Sequence, residues 1–188
     1  MEVSISKSDK IMTLTQTDQD DWVRIQSGDL NGWEIRFNGI NKVSNSQLLT
    51  DQRFNKYGLT GCLNFYNSTF QKTTIKIIGG VCEDSVNIVN STGSIDSISV
   101  TGAFADALDI DFSIIDISKV NIVNAGNDCL DVSGGSYQVD KMFLMNCNDK
   151  GVSVGEGSTL FTKGLEISFA SIGVSSKDSS KVKILDAQ

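Results

Sequence analysis

The sequence contains no proline and no histidine. Zinc sites are built mostly from histidine and paired cysteines. The four cysteines, Cys62, Cys82, Cys129 and Cys147, include no CxxC pair, so a zinc site is not expected. No run of 18 apolar residues occurs, which argues against a membrane-spanning helix. The N-terminus has no basic segment followed by an apolar core, so no signal peptide is expected. On that ground the chain reads as cytosolic or as a piece of a longer precursor. Positive charge is also scarce, with a net charge of −7 and a pI near 4.5. Nucleic-acid binding needs Lys and Arg to neutralise phosphates, so it is disfavoured.

What the chain has is a middle rich in Asn, Asp, Ser, Thr, Val and Ile, within 188 residues that fit one domain. Asn, Asp and Ser favour turns, and the β-branched Thr, Val and Ile favour strands, so many short strands are expected. The acidity is local. Between Glu83 and Asp131 nine carboxylates face one lysine, Lys119, whereas six lysines and five acids follow from Lys141 onward.

An internal repeat organises this middle. Glu83-Asp84-Ser85-Val86-Asn87-Ile88 recurs 22 residues on as Ala105-Asp106-Ala107-Leu108-Asp109-Ile110, then as Asn127-Asp128-Cys129-Leu130-Asp131-Val132. Further copies begin at Lys150 and Ile172, and one lies upstream at Gly61. Each copy alternates apolar and polar residues, the period of a strand. One pair of apolar columns is Leu63, Val86, Leu108, Leu130, Val152, Val174 and Phe65, Ile88, Ile110, Val132, Val154. A second strand repeats through Ile75, Ile98, Val120, Met142 and Ile77, Val100, Ile122, Leu144, slipping by one residue at Leu165 and Ile167 as at a bulge or shifted turn. A third column reads Ile95, Ile117, Val139, Phe161. Short strands every 22 residues describe coils of a single-stranded right-handed parallel β-helix, an all-β solenoid whose core forms only by stacking. At about 4.8 Å per coil, six coils make a rod on the order of 29 Å long.

The ends differ. Residues 1–58 read as an N-terminal cap or irregular first coil, with strands at Ile11–Thr15 and Trp33–Phe37 and a polar loop over Asn38–Tyr57. Coils then occupy 59–188. At Val182–Leu185 another coil starts, so that end reads as open: a fragment, a site of end-to-end stacking, or a seat for an adjoining domain or subunit. Cys62 and Cys129 share a column three coils apart, roughly 14 Å, too far to bond. Cys147 falls in a small-residue column with Ala125 and Ala103, and all four cysteines are expected to be reduced core thiols.

Three sets of residues are candidates for chemistry. Asp109, Asp111 and Asp131 converge on two adjacent coils and would suit a calcium ion, against the simpler reading of a solvated polar face. Asp84, Asp106, Asp128 and Lys150 form a turn column, where Asp commonly satisfies backbone N–H groups. Its functional version makes Lys150 a general base and Asp128 a substrate contact. Tyr66 is the only aromatic on the outer face of the first strand and a candidate sugar contact, while Tyr137 follows a turn and reads as packing. Asn67 and Asn90 sit in glycosylation sequons but read as inward, stacked asparagines, which disfavours glycosylation.

The phrases Asp106-Ala107-Leu108-Asp109-Ile110-Asp111-Phe112-Ser113, Gly126-Asn127-Asp128-Cys129-Leu130-Asp131-Val132-Ser133-Gly134 and Asp149-Lys150-Gly151-Val152-Ser153-Val154-Gly155-Glu156 resemble the right-handed parallel β-helix repeat family of the pectate-lyase-like superfamily. The resemblance covers about residues 59 to 185. It implies the fold, and it implies an extracellular or envelope setting of bacterial type, but the superfamily spans lyases, hydrolases, epimerases and adhesins. Asn127-Asp128-Cys129-Leu130 is also similar to the paired-aspartate segment of polygalacturonase-like hydrolases. Asn127 replaces the first aspartate, and the family's histidine is absent. Pectate-lyase-like enzymes hold calcium on outward carboxylates and use Arg or Lys as base. Here these would be Asp109, Asp111, Asp131 and Lys150, with no arginine beyond Arg53. Two functions follow as expectations. The first is a non-catalytic scaffold or glycan-binding module taking a polysaccharide. The alternative is a calcium-dependent lyase or epimerase on an acidic glycan. Lack of histidine, of arginine on the repeats and of a strong base favours the first.

Overall fold

The computed structural model describes residues 1–40 and 53–188, so the stretch 41–52 of the expected polar loop lies outside the described residues. The first strands are β1 (Glu2–Ser6), β2 (Ile11–Thr15), β3 (Val23–Gln26), β4 (Glu34–Asn38), β5 (Gly61–Tyr66), β6 (Thr69–Ile78) and β7 (Asp84–Val89). They continue as β8 (Thr92–Ala103), β9 (Asp106–Asp111), β10 (Ile114–Ala125), β11 (Leu130–Ser133), β12 (Ser136–Gly155), β13 (Thr159–Ser176) and β14 (Lys181–Ile184). Every neighbouring pair but the first is parallel, and the chain winds into a β-solenoid of about 7 turns.

The apolar columns become the core. Leu63, Val86, Leu108, Leu130 and Val152 stack on successive coils, as do Phe65, Ile88, Ile110, Val132 and Val154, and all lie at 1 % exposure or less. Each such side chain contributes about 1.5–3 kcal/mol when fully buried. The opposite wall is the Ile75–Ile98–Val120–Met142–Leu165 column with its neighbour Ile77–Val100–Ile122–Leu144–Ile167. The one-residue slip enters at a turn, because Val132 pairs Val154 whereas Tyr137 already pairs Leu160. Gly157 has a φ of +72° there. The register recovers between Cys147 and Lys150. One consequence corrects the third column. Val139 pairs Thr162, which is fully buried, and Phe161 turns outward beneath the Lys183 ammonium, 5.7 Å from its ring.

The solenoid extends into the segment expected to be irregular. Met12 pairs Ile35, which pairs Ile75, and Leu14, Phe37 and Ile77 stack beside them. Val23 and Ile25 of β3 stack on Leu63 and Phe65. Only β1 departs, pairing antiparallel with β2 and covering that edge. The repeat is hidden because residues 39–60 form a long insertion between β4 and β5, where residues 79–83 suffice one coil later. At the other end β14 lies parallel on β13.

The cysteines are bonded, contrary to the expectation of free thiols. Cys62 joins Cys82 and Cys129 joins Cys147, with Cα–Cα separations of 5.5 and 5.4 Å. Same-column cysteines are indeed too far apart. Cys82 comes from the return corner after β6 and Cys147 from within β12, each bonding back to the start of its own coil.

Asn67 and Asn90 are also corrected. Both are exposed, with φ of 52° and 47°, at the corner after the first strand. Asparagine tolerates this left-handed conformation, which swings its side chain outward. The two stack, Asn90 Nδ2 donating to Asn67 Oδ1 at 2.6 Å. The buried ladder is one residue on: Ser68 N donates to Ser91 Oγ, and Ser91 N to Ser113 Oγ. Tyr137 closes this ladder, its hydroxyl 2.9 and 2.7 Å from the carbonyl oxygens of Ile110 and Ser133.

Coil stacking leaves no room at Gly93. Its φ is +114°, and an added Cβ would fall 2.0 Å from the carbonyl oxygen of Phe70. Gly93→Ala is expected to cost about 2 kcal/mol and to lower the Tm by roughly 4–8 °C, measured by thermal circular dichroism.

Candidate functional site

Two features lie side by side on the outer surface. The first is a carboxylate-bearing face. Parallel pairing places Arg24, Asn64, Asn87, Asp109, Asp131 and Ser153 in one outward column, one residue per coil. Tyr66, Val89, Asp111 and Ser133 form the next column. Asn64 is consumed structurally: its side chain accepts from Gly61 N and donates to the carbonyls of Val23 and Gly61. Asn87 Nδ2 donates to Asp109 and Asp111, 3.1 Å from each.

The turn column Asp84, Asp106, Asp128 and Lys150 borders this face. Asp106 Oδ1 accepts from Asp128 N and Asn127 Nδ2, and Asp128 Oδ1 accepts from Lys150 N. These carboxylates therefore hold one coil's corner to the next. Asp84 differs, since it is 1 % exposed and its Oδ2 has no donor. Asn87 Oδ1 and Asp131 Oδ1 are likewise buried without a donor.

Burial sets the electrostatics here. Desolvation, reinforced by neighbouring carboxylates, pushes Asp84 up to about 8 and Asp106 up to about 6. Burial also raises Asp109 well above the usual carboxylate range, and raises Asp111 and Asp131. Lys177 and Lys150 pull Asp131 partly back.

Asp109, Asp111 and Asp131 do sit on adjacent coils, as the sequence implies. Unpartnered acceptors suit a cation chemically. Yet among the described residues no three acidic or thiol side chains gather into a group able to hold a metal ion. Lys150 is misplaced for a base. Its ammonium lies 3.3 Å from Asp128 and contacts Asp149, and these partners raise its pKa, Asp149 first. A general base needs the reverse.

The second feature is a cleft of about 790 Å³ beside this face, a size that accommodates a small ligand. Trp22, Phe54, Tyr57 and Phe104 line it together with Arg24 and Glu83. Four separate segments build it. Trp22 and Arg24 come from the approach to and start of β3, Phe54 and Tyr57 from the insertion, and Glu83 and Phe104 from successive return corners. Residues 53–59 at the end of the insertion are well held. Asn55 Oδ1 accepts from the backbone N–H groups of Tyr57 and Leu59, and Arg53 Nε lies 2.7 Å from Glu83 Oε1. Tyr57 is 71 % exposed and Phe104 43 %, so their rings are open to a partner. Cys82 is also in the lining, and its bond to Cys62 fixes that corner to the coil.

Neither Tyr66 nor Asp128 lines this cleft. Tyr66 stands on the carboxylate face, in the column of Asp111, and Asp128 is buried in the corner. The cleft aromatics were hidden from sequence reasoning because they come from segments without phase in the repeat. The available signal was the insertion itself, since insertions in repeat proteins project on one face, often the binding face.

The structure thus defines a class: an all-β, disulfide-bonded parallel β-solenoid with an aromatic cleft beside a carboxylate face. Comparison with protein-family models, with curated proteins and with solved structures found no match. No helix of the described residues is long and apolar enough to cross a membrane.

Proposed function

We propose that the protein is a glycan-binding module, with a polysaccharide segment seated in the cleft between the insertion and the return corners. The observation that carries this reading is the convergence of four aromatic rings with an arginine and a carboxylate in a concave site of about 790 Å³. Such a site offers apolar ring faces for sugar C–H surfaces and polar groups to fix orientation. The coil length of about 22 residues and the outer carboxylate columns support reading the module as similar to the pectate-lyase-like β-helices. The two disulfides support an oxidising setting such as the cell envelope or exterior. The alternative, a calcium-dependent lyase or epimerase, asks Lys150 to be neutral, whereas its carboxylate partners favour the ammonium.

Titration with defined neutral and uronic oligosaccharides, followed by tryptophan fluorescence and calorimetry, tests the reading. Saturable binding is expected for at least one. Trp22→Ala and Tyr57→Ala should each weaken it by about 1.4–2.8 kcal/mol, or 10- to 100-fold. A double variant that stays folded and binds as tightly as the parent would end the proposal.

A further inference from the structure

The strand order of the sheet ends at β1, so among the described residues the far edge of β1 has no partner. Edge strands are usually blunted by lysine, proline or a bulge. Glu2-Val3-Ser4-Ile5-Ser6 has none of these, and its register with β2 runs unbroken. Its two apolar side chains extend the core. Val3 stands opposite Leu14 and Ile5 opposite Met12, and directly opposed residues of an antiparallel pair share a face. They therefore top the columns Leu14–Phe37–Ile77 and Met12–Ile35–Ile75. Phe37, Ile77, Ile35 and Ile75 are buried, yet Val3 is 57 % exposed and Ile5 49 %. Two core columns thus end in aliphatic side chains open to solvent beside an unpaired strand edge.

We propose that β1 is an interface for a second copy of this chain, the two β1 strands pairing antiparallel about a twofold axis at Ser4. The strand is self-complementary in that register. Val3 of each copy meets the partner's Ile5, so both core columns continue across the junction. Ser4 meets the partner's Ser4, and Glu2 meets the partner's Ser6, so no like charges face each other between the strands. The flanking charges are complementary as well. Lys7 follows the strand, exposed and without an ion pair among the described residues. In the pair it arrives at the partner's Glu2 and at the turn that follows Thr15, the residue opposite Glu2 in each copy. That turn carries Asp18, Asp20 and Asp21. The Met1 amino group occupies Asp21 at 2.5 Å, and Asp18 and Asp20 have no cation partner among the described residues. The twofold axis makes this contact twice and closes the assembly at two copies.

Sedimentation equilibrium from about 1 μM to about 1 mM, the range in which small interfaces dissociate, should show a reversible shift from 20.3 kDa to twice that mass and no further. Cysteine cross-linking reads the register. At the twofold axis the two Ser4 Cα atoms lie about 4.5–5.5 Å apart, within disulfide reach, whereas the two Glu2 positions lie about 14 Å apart. Ser4→Cys should therefore give a covalent dimer on mild oxidation, and Glu2→Cys should not. Ile5→Lys places a charge at an exposed position, so the chain should stay folded by circular dichroism while dimerisation weakens at least about tenfold. Lys7→Glu should weaken it about threefold. Leu185→Lys, at the other end of the solenoid, should leave it unchanged. A monomer at every concentration, assembly beyond two copies, or cross-linking of Glu2→Cys as readily as of Ser4→Cys would overturn the proposal. So would a dimer that Leu185→Lys abolishes and Ile5→Lys does not.

Discussion

The protein is expected to melt on the order of 10 °C lower at pH 9 than at pH 5, with Asp84→Asn removing most of the difference. Asp84 is buried, one of its oxygens has no donor, and carboxylates surround it. Its folded pKa is raised from 3.8 to about 8, so the native state holds the proton more tightly than the unfolded chain does. The resulting stability is fully present below about pH 4 and is lost as pH rises toward 8. Asp106 adds a smaller loss of the same sign, ending near pH 6. Each tenfold difference in proton affinity is worth about 1.36 kcal/mol, so the effect is on the order of several kcal/mol. Asparagine keeps the shape without the ionisation. Differential scanning calorimetry from pH 5 to pH 9 checks this. A pH-independent wild-type Tm, or an Asp84→Asn profile as steep as wild type, would show that the buried carboxyl is not the cause.

A column such as Leu63–Val86–Leu108–Leu130 is legible because each member answers the same local demand, an inward strand position against an identical neighbour. Period two and a 22-residue step therefore found the solenoid and most core positions. Where a residue answers to something outside its own coil, the periodic reading fails. Met12 and Ile35 obey the repeat, but the insertion after Asn38 shifts the phase and conceals them. The 22-residue step puts Phe161 inward, but one extra residue at the Gly157 turn moves Thr162 into the core in its place. Asn67 is turned outward by a backbone angle that composition does not specify. The carboxylate face was legible as a set of columns, but not the burial that leaves Asp84 without a donor. The cleft was illegible for the same reason as the disulfides. Both join segments that meet only once the return corners fold back on the coils.

Those disulfides should carry the other large effect. Replacing Cys129 and Cys147 with Ala is expected to cost about 3 kcal/mol, and losing both bridges on the order of 6 kcal/mol. Each bridge closes a loop, with separations of 20 and 18 residues, whose closure otherwise restricts only the folded chain. For a protein of this length the double loss should lower the Tm by roughly 12–24 °C. The two bridges should also differ in consequence. Cys62–Cys82 fixes the corner that supplies Glu83 to the cleft, so its removal should weaken glycan binding as well as stability. Cys129–Cys147 lies outside the cleft lining, so its removal should lower the Tm while leaving affinity at 25 °C within about twofold. Thermal melts and sugar titrations on the two paired-alanine variants separate these outcomes. Equal effects of both variants on affinity would mean that the coils transmit strain along the solenoid and do not confine it to one corner.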